Sequence, residues 1–222
     1  MKIDPMYLGP MDENPGIFKT DKERRGNKTL QRKQRGPRKP PQKKETGNIM
    51  PLPVYHNSDA MNPEHVQSIP ITIGVITVSS TRNEETDSSG KIIITNLSQA
   101  GYPMNYYVIV PDRIEAIREA MVNGLKQCDC LILNGGTGLT SDDCTIEAIE
   151  PLYEKKMDGF GELFRVKSYE EIGPAAMLSR ASAGLIQKKV VFCIPGSNAA
   201  VKLAMSVLII PEIRHIMSHA RK

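Results

Sequence analysis

Ile71-Thr72-Ile73-Gly74-Val75-Ile76-Thr77-Val78 is the stretch on which the reading of the fold turns. Seven of its eight residues are β-branched, and apolar side chains fall at successive as well as alternate positions. A short run of this kind predicts a strand covered on both faces, as in a parallel sheet wrapped by helices. The same texture returns at residues 106–110, 130–133 and 190–194, which predicts three further strands.

Helical patterns lie between these strands. Residues 90–100 read as a helix closed by Gly101, although Ile92-Ile93-Ile94 is β-branched. Pro111-Asp112 opens a second helix, with Ile114, Ile117, Met121 and Leu125 on one stripe. A last helix opens at Asn198, with Val201, Ala204, Met205 and Leu208 on one face. Strands alternating with helices predict an α/β domain with three αβα layers and a mostly parallel central sheet, over residues 68–222.

Upstream the composition changes. Residues 1–50 carry 13 Lys/Arg against 6 Asp/Glu, whereas the rest of the chain carries 16 against 19. Residues 19–44 offer almost nothing to bury and cannot offset the entropy cost of ordering. Residues 1–67 are therefore expected to be a disordered basic extension and linker. No aromatic interleaving accompanies its charge, so nucleic acid is not the expected partner. No apolar run approaches the roughly 18 residues of a membrane span, and the chain starts without an apolar leader. Four Cys without repeated spacing fit a reducing compartment, and the expected location is the cytoplasm. Aromatic residues make up 5% with no Trp, so the core should be aliphatic, with 11 Met to fill gaps.

In an open parallel sheet, ligands bind beyond the carboxyl ends of the strands. The loops at those ends are distinctive here. The first strand runs into Ser79-Ser80-Thr81-Arg82, the third into Asn134-Gly135-Gly136-Thr137-Gly138-Leu139-Thr140, and the fourth into Pro195-Gly196-Ser197-Asn198. The glycine loop would let backbone N–H groups approach an anion, or it is a plain tight turn. It has neither the Lys of a Walker A loop nor the spacing of a dinucleotide fingerprint. The Pro-Gly-Ser-Asn loop offers a helix start to a phosphate, or an ordinary cap by Ser197 or Asn198. Asp112 and Asp143 lie on loops at this same edge. Each could cap a helix, Asp112 through the box-like spacing Asp112-Arg113-Ile114-Glu115. Together they could hold Mg²⁺ against a nucleotide phosphate. His215 and His219 have the i,i+4 spacing of metal ligands, but a helix end also favours such side chains, which is the expectation taken. Cys128, Cys130 and Cys193 are expected to be core thiols, and Cys144 has no adjacent His to activate it.

The combination of Thr77-Val78-Ser79, the Gly135–Thr140 loop, Gly159-Phe160-Gly161-Glu162, Ser168-Tyr169-Glu170-Glu171-Ile172-Gly173, Met177-Leu178-Ser179-Arg180-Ala181 and Pro195-Gly196-Ser197 resembles the MoaB/Mog family of molybdenum cofactor biosynthesis. The resemblance spans about residues 69–222 in consistent order. It implies molybdopterin adenylyltransferase chemistry, in which AMP passes from Mg²⁺·ATP to the terminal phosphate of molybdopterin, for later insertion of molybdenum or tungsten. It places the two family aspartates on Asp112 and Asp143, as catalytic and metal-positioning groups. Substrate and phosphate contacts fall on Ser79, Gly135, Gly136, Thr137, Gly138, Ser179, Pro195, Gly196 and Ser197. It further implies a trimer or hexamer and a downstream metal-insertion partner. A non-catalytic molybdopterin-binding protein of the same fold is the alternative, and a dinucleotide pyrophosphatase of the CinA type is a third. The chain departs from the family pattern twice: Ser80 stands in the loop where many members have Ser-Asp-Arg, and Asn198 stands where Pro is common.

Overall fold

The computed structural model describes residues 70–222, so the expected basic extension lies outside the described residues. Six strands form one sheet: β1 Ile73–Val78, β2 Met104–Val110, β3 Cys130–Asn134, β4 Lys155–Lys156, β5 Ser182–Ile186 and β6 Lys189–Ile194. Their order is β2-β1-β3-β6-β5-β4. The first four are mutually parallel, while β5 runs antiparallel to β6 and β4 antiparallel to β5. The mostly parallel sheet is thus borne out, with an antiparallel edge that the sequence patterns did not announce.

Alternation along the central strands explains the layers. Ile73 and Val75 of β1, with Cys130 and Ile132 of β3, face one apolar cluster. That cluster is closed by α1 (Ser88–Gln99), α4 (Asp158–Ile172), α5 (Asn198–Leu203) and α6 (Ile210–Ala220). Ile76 and Val78, with Leu131 and Leu133, face the other, under α2 (Ile114–Gln127) and α3 (Thr145–Ile149). The central strands are therefore apolar throughout because both faces are covered.

Three local differences from expectation have physical causes. Helix α1 begins at Ser88, because Asp87 caps it by accepting from the Gly90 N–H at 2.9 Å. Helix α2 begins at Ile114 with Arg113 as its unbonded cap, so the expected capping box at Asp112 does not form. Between α5 and α6 lies a π-helical segment, Ala204–Ile209. Pro211 in the first turn of α6 has no N–H and crowds the carbonyl four residues back, and a π turn accommodates that. The extra residue moves the buried stripe, so Ile209 takes the fully buried place expected for Leu208, which packs at its margin.

Candidate functional site

The carboxyl ends of β1, β3 and β6 converge on a cavity of about 500 Å³. Asp112, Asp143, Ser79, Gly135, Gly136, Thr137, Gly138, Ser179, Pro195, Gly196 and Ser197 all line it, so every site residue expected from sequence is gathered in one place. The glycine loop and the Pro-Gly-Ser loop touch. The Gly135 N–H donates to the Ile194 carbonyl at 3.1 Å, and a Cβ on Gly196 would stand 3.0 Å from the Gly135 Cα. Gly135 and Gly136 have φ of 99° and 60°, where a side chain would be strained. A Cβ on Gly136 would also come within 3.0 Å of Asp112 Oδ1, so the absence of one lets that carboxylate lie over the loop.

Asp112 is held from the opposite side. Its Oδ2 accepts from the Ser80 N–H and the Ser80 hydroxyl, each at 2.8 Å, and its own N–H donates to Ser80 Oγ at 3.1 Å. This clamp gives Ser80 a role: its N–H and hydroxyl orient the neighbouring carboxylate. Asp143 does not cap α3, whose cap position is Cys144. Instead its Oδ2 accepts from the Thr140 N–H at 2.9 Å and the Thr140 hydroxyl at 2.6 Å, which closes the loop back on itself. Burial pushes the Asp143 carboxyl up, but hydrogen bonds from Thr140 and Gly138 and the Arg180 charge outweigh it and hold it below the usual carboxylate value. It is an anion at neutral pH. Arg180 pins the loop by donating to the Thr137 carbonyl at 3.1 Å while pairing with Glu147 of α3. Burial and the surrounding charges of Asp112, Glu147, Asp143 and Glu115 push the Cys144 thiol up, which makes it a poor nucleophile.

Arg82 and the network behind it escaped the sequence reading. Arg82 lines the cavity, donates to the Gly196 carbonyl at 3.3 Å and also bonds Ser89 Oγ. It lies 3.5 Å from Asp87, whose side chain is fully buried. Asp87 accepts from Thr77 Oγ1 at 2.6 Å, Tyr107 Oη at 2.8 Å and Ser89 Oγ at 3.0 Å. The single Ser89 hydroxyl proton is shared between Asp87 and Asn134 Oδ1, which lies 2.8 Å from Ser89 Oγ. A Cβ on Gly90 would stand 2.1 Å from Asp87 Oδ2, so the cap requires glycine there. The segment Asp87-Ser88-Ser89-Gly90 carried this signal as a cap followed by the only residue that fits. Asn198, the other departure, accepts from the Ser88 hydroxyl at 2.9 Å and ties α5 to α1, while Ser197 caps α5.

Residues 74–215 match the family described as "Probable molybdopterin binding domain". The chain is 51% identical over 164 residues to molybdenum cofactor biosynthesis protein B of Bacillus subtilis, covering 72% of this chain and 96% of that one. It is 44% identical over 170 residues to the molybdopterin adenylyltransferase of Pyrococcus furiosus, covering 72% and 98%. Among solved structures, the tungsten cofactor synthesizing protein MoaB of Pyrococcus furiosus superposes with a TM-score of 0.64 at 45% identity, over 68% of this chain and 98% of that one.

Proposed function

The chain belongs to the MoaB/Mog family of molybdenum cofactor biosynthesis, and on that premise we propose that it is a molybdopterin adenylyltransferase. The observation that carries the reading is the meeting of Asp112 and Asp143 with the Gly135–Gly138 loop in one cavity. The chemistry is attack by a terminal phosphate oxygen of molybdopterin on the α-phosphorus of ATP. A new P–O bond forms as the bond to pyrophosphate breaks, giving adenylylated molybdopterin and pyrophosphate. Such transfer needs positioning and charge neutralisation more than covalent help from the protein.

Mg²⁺ fits this donor set as an ion shared with substrate. No group of three His, Cys, Asp or Glu able to hold a metal exists among the described residues. Two carboxylates suit a hard cation that keeps its water and takes its remaining oxygens from phosphate. Asp112 and Asp143 would hold it, and when bound it would neutralise charge on the transferring phosphate. The chain's own contribution is orientation. Ser80 and Thr140 aim the two carboxylates, the glycine loop admits a phosphate close to its backbone, and Arg82 adds a cation on the side of the Pro-Gly-Ser loop.

The reading includes a homo-oligomer. Leu163, Val166, Tyr169 and Ile172 of α4, with Met177 and Leu178 beyond it, leave apolar area exposed that a second copy would cover. Light scattering should report a trimer or hexamer, and a monomer would overturn that part.

The activity is tested by incubating the protein with molybdopterin, ATP and Mg²⁺ and following adenylylated molybdopterin and pyrophosphate. Turnover that disappears on chelation of Mg²⁺ is the expected result. Stoichiometric binding of molybdopterin without turnover at any Mg²⁺ concentration would make it a binding protein instead.

A further inference from the structure

Away from the cavity, α6 presents His215 and His219 one turn apart. Their rings meet nearly edge to face, with centroids 4.8 Å apart and planes at 71°. The two Nε2 atoms are 3.1 Å apart. On the far side of the His215 ring, Nδ1 lies 3.1 Å from Oε2 of Glu212.

These contacts define a tautomer. A carboxylate accepts, so neutral His215 carries its proton on Nδ1, and its Nε2 lone pair accepts from the Nε2–H of His219, a proton that a metal binding there would displace. A metal-bound imidazole is arranged in the same way, one ring nitrogen donating to a carboxylate and the other facing the ion. Two nitrogens bound tetrahedrally to Zn²⁺ at about 2.0–2.1 Å stand about 3.3 Å apart. The observed separation is within a few tenths of an ångström of that, so chelation needs no movement of the helix. The pair lies in the last two turns of α6, the end of a helix at which positive charge is favoured. Lys155 and Lys156 line the same depression, but Lys156 is paired with Glu150 and Asp158, which reduces its repulsion of a cation.

We propose that His215 and His219 form a two-nitrogen site for a divalent transition metal of the Zn²⁺ class, with Glu212 as the residue that orients His215. Imidazole is a preferred ligand of such ions. Water or another oxygen ligand completes the coordination, so the site binds reversibly and is distinct from the Mg²⁺ expected between Asp112 and Asp143. The sequence spacing alone could not select this reading, because i,i+4 histidines near a helix end are also what the helix dipole favours. The facing Nε2 atoms and the Glu212 contact are what select it.

The test is calorimetric titration of Zn²⁺ into the untagged full-length chain after removal of metals. One Zn²⁺ per chain should be lost, or weakened at least about 10-fold, in His215→Ala and equally in His219→Ala. Glu212→Gln should weaken it about 10-fold while leaving the stoichiometry unchanged. Zn²⁺ should also raise the melting temperature of the parent chain by mass action, and the gain should vanish in both histidine variants. His215→Gln and His219→Gln serve as substitutes should either Ala variant fail to fold. Wild-type Zn²⁺ affinity in either histidine variant would overturn the proposal and leave the pair as a plain hydrogen bond. So would the absence of binding by the parent chain up to about 1 mM. His56 and His65 are present in every form, so any binding they contribute is a constant background.

Discussion

Asp143 and Asp87 are both carboxylates held by several hydrogen bonds, but they differ in what their loss removes. Asp143 is half-buried on the cavity wall, and its bonds close a loop that carries no core residue. Asp143→Asn keeps the shape and removes the charge, so the fold should persist while turnover falls at least about 10²-fold, the scale of a positioned electrostatic group. Steady-state adenylylation per folded molecule measures this, and normal turnover with lowered stability would reduce Asp143 to a loop tie. Asp87 is the reverse case. Its removal strands Thr77, Tyr107 and the Gly90 N–H without their acceptor in the interior, so Asp87→Ala should cost at least about 3 kcal/mol in urea unfolding at pH 7. Burial raises the Asp87 carboxyl, but the hydrogen bonds from Thr77, Gly90, Tyr107 and Ser89 outweigh it and hold it below its ordinary 3.8. A lowered folded value makes its contribution complete above that ordinary value and lost as pH falls through the folded one. The gap between parent and variant should therefore narrow below about pH 4. An undiminished gap at pH 3 would mean that packing, not charge, is what the variant lost. Asp112 and Asp143 were legible because they adjoin loops of unusual composition. Arg82 was not, because residues 79–89 show no periodicity, and the cap signal at Asp87 marks only a helix start, since three-dimensional closure is what brings Thr77, Tyr107 and Asn134 to it.

At the scale of elements, the strands hidden from the sequence are those whose residues do not look like strands. β5 is Ser182-Ala183-Gly184-Leu185-Ile186, with three small residues. Gly184 is there because the Tyr153 ring lies across it, with Cγ only 2.4 Å from where a Cβ would be. β4 is two lysines. Helix α4 was similarly obscured: Phe160, Phe164 and Ser168 face inward, but Leu163, Val166, Tyr169 and Ile172 are exposed, so no single stripe stands out. By contrast β1, β3 and β6 are buried on both faces, and continuous apolar runs reveal them. The turn between β5 and β6 yields a further prediction. Gln187 and Lys188 both have positive φ, 53° and 59°, as a two-residue hairpin turn demands. Neither is Gly or Asn, and the left-handed conformation costs a side-chain-bearing residue about 1 kcal/mol or more. Lys188→Gly should raise stability by up to about 1 kcal/mol, less the added freedom of the unfolded chain. Thermal unfolding would show it, and a lower melting temperature would mean that Lys188 makes contacts worth more than its strain.

For the molecule as a whole, the question is what residues 1–67 add. Among the described residues, 70–222, both apolar clusters and the lined cavity are already in place. A core and a cavity built from that range predict that deleting residues 1–67 leaves the melting temperature and the rate of the proposed adenylylation within error. The deleted part carries all of the chain's excess of positive charge, with 13 Lys/Arg against 6 Asp/Glu in its first 50 residues and 16 against 19 in the rest of the chain. Any binding of RNA or DNA by the full chain should therefore be weak, indifferent to sequence, and steeply reduced by salt as counterion release requires. It should also vanish on deletion, because Lys and Arg without base-reading side chains position a nucleic acid but do not select one. Gel retardation at low and moderate salt, run on both forms alongside the activity assay, separates the outcomes. Salt-resistant retardation, or a fall in adenylylation when the segment is removed, would make the basic segment part of the function.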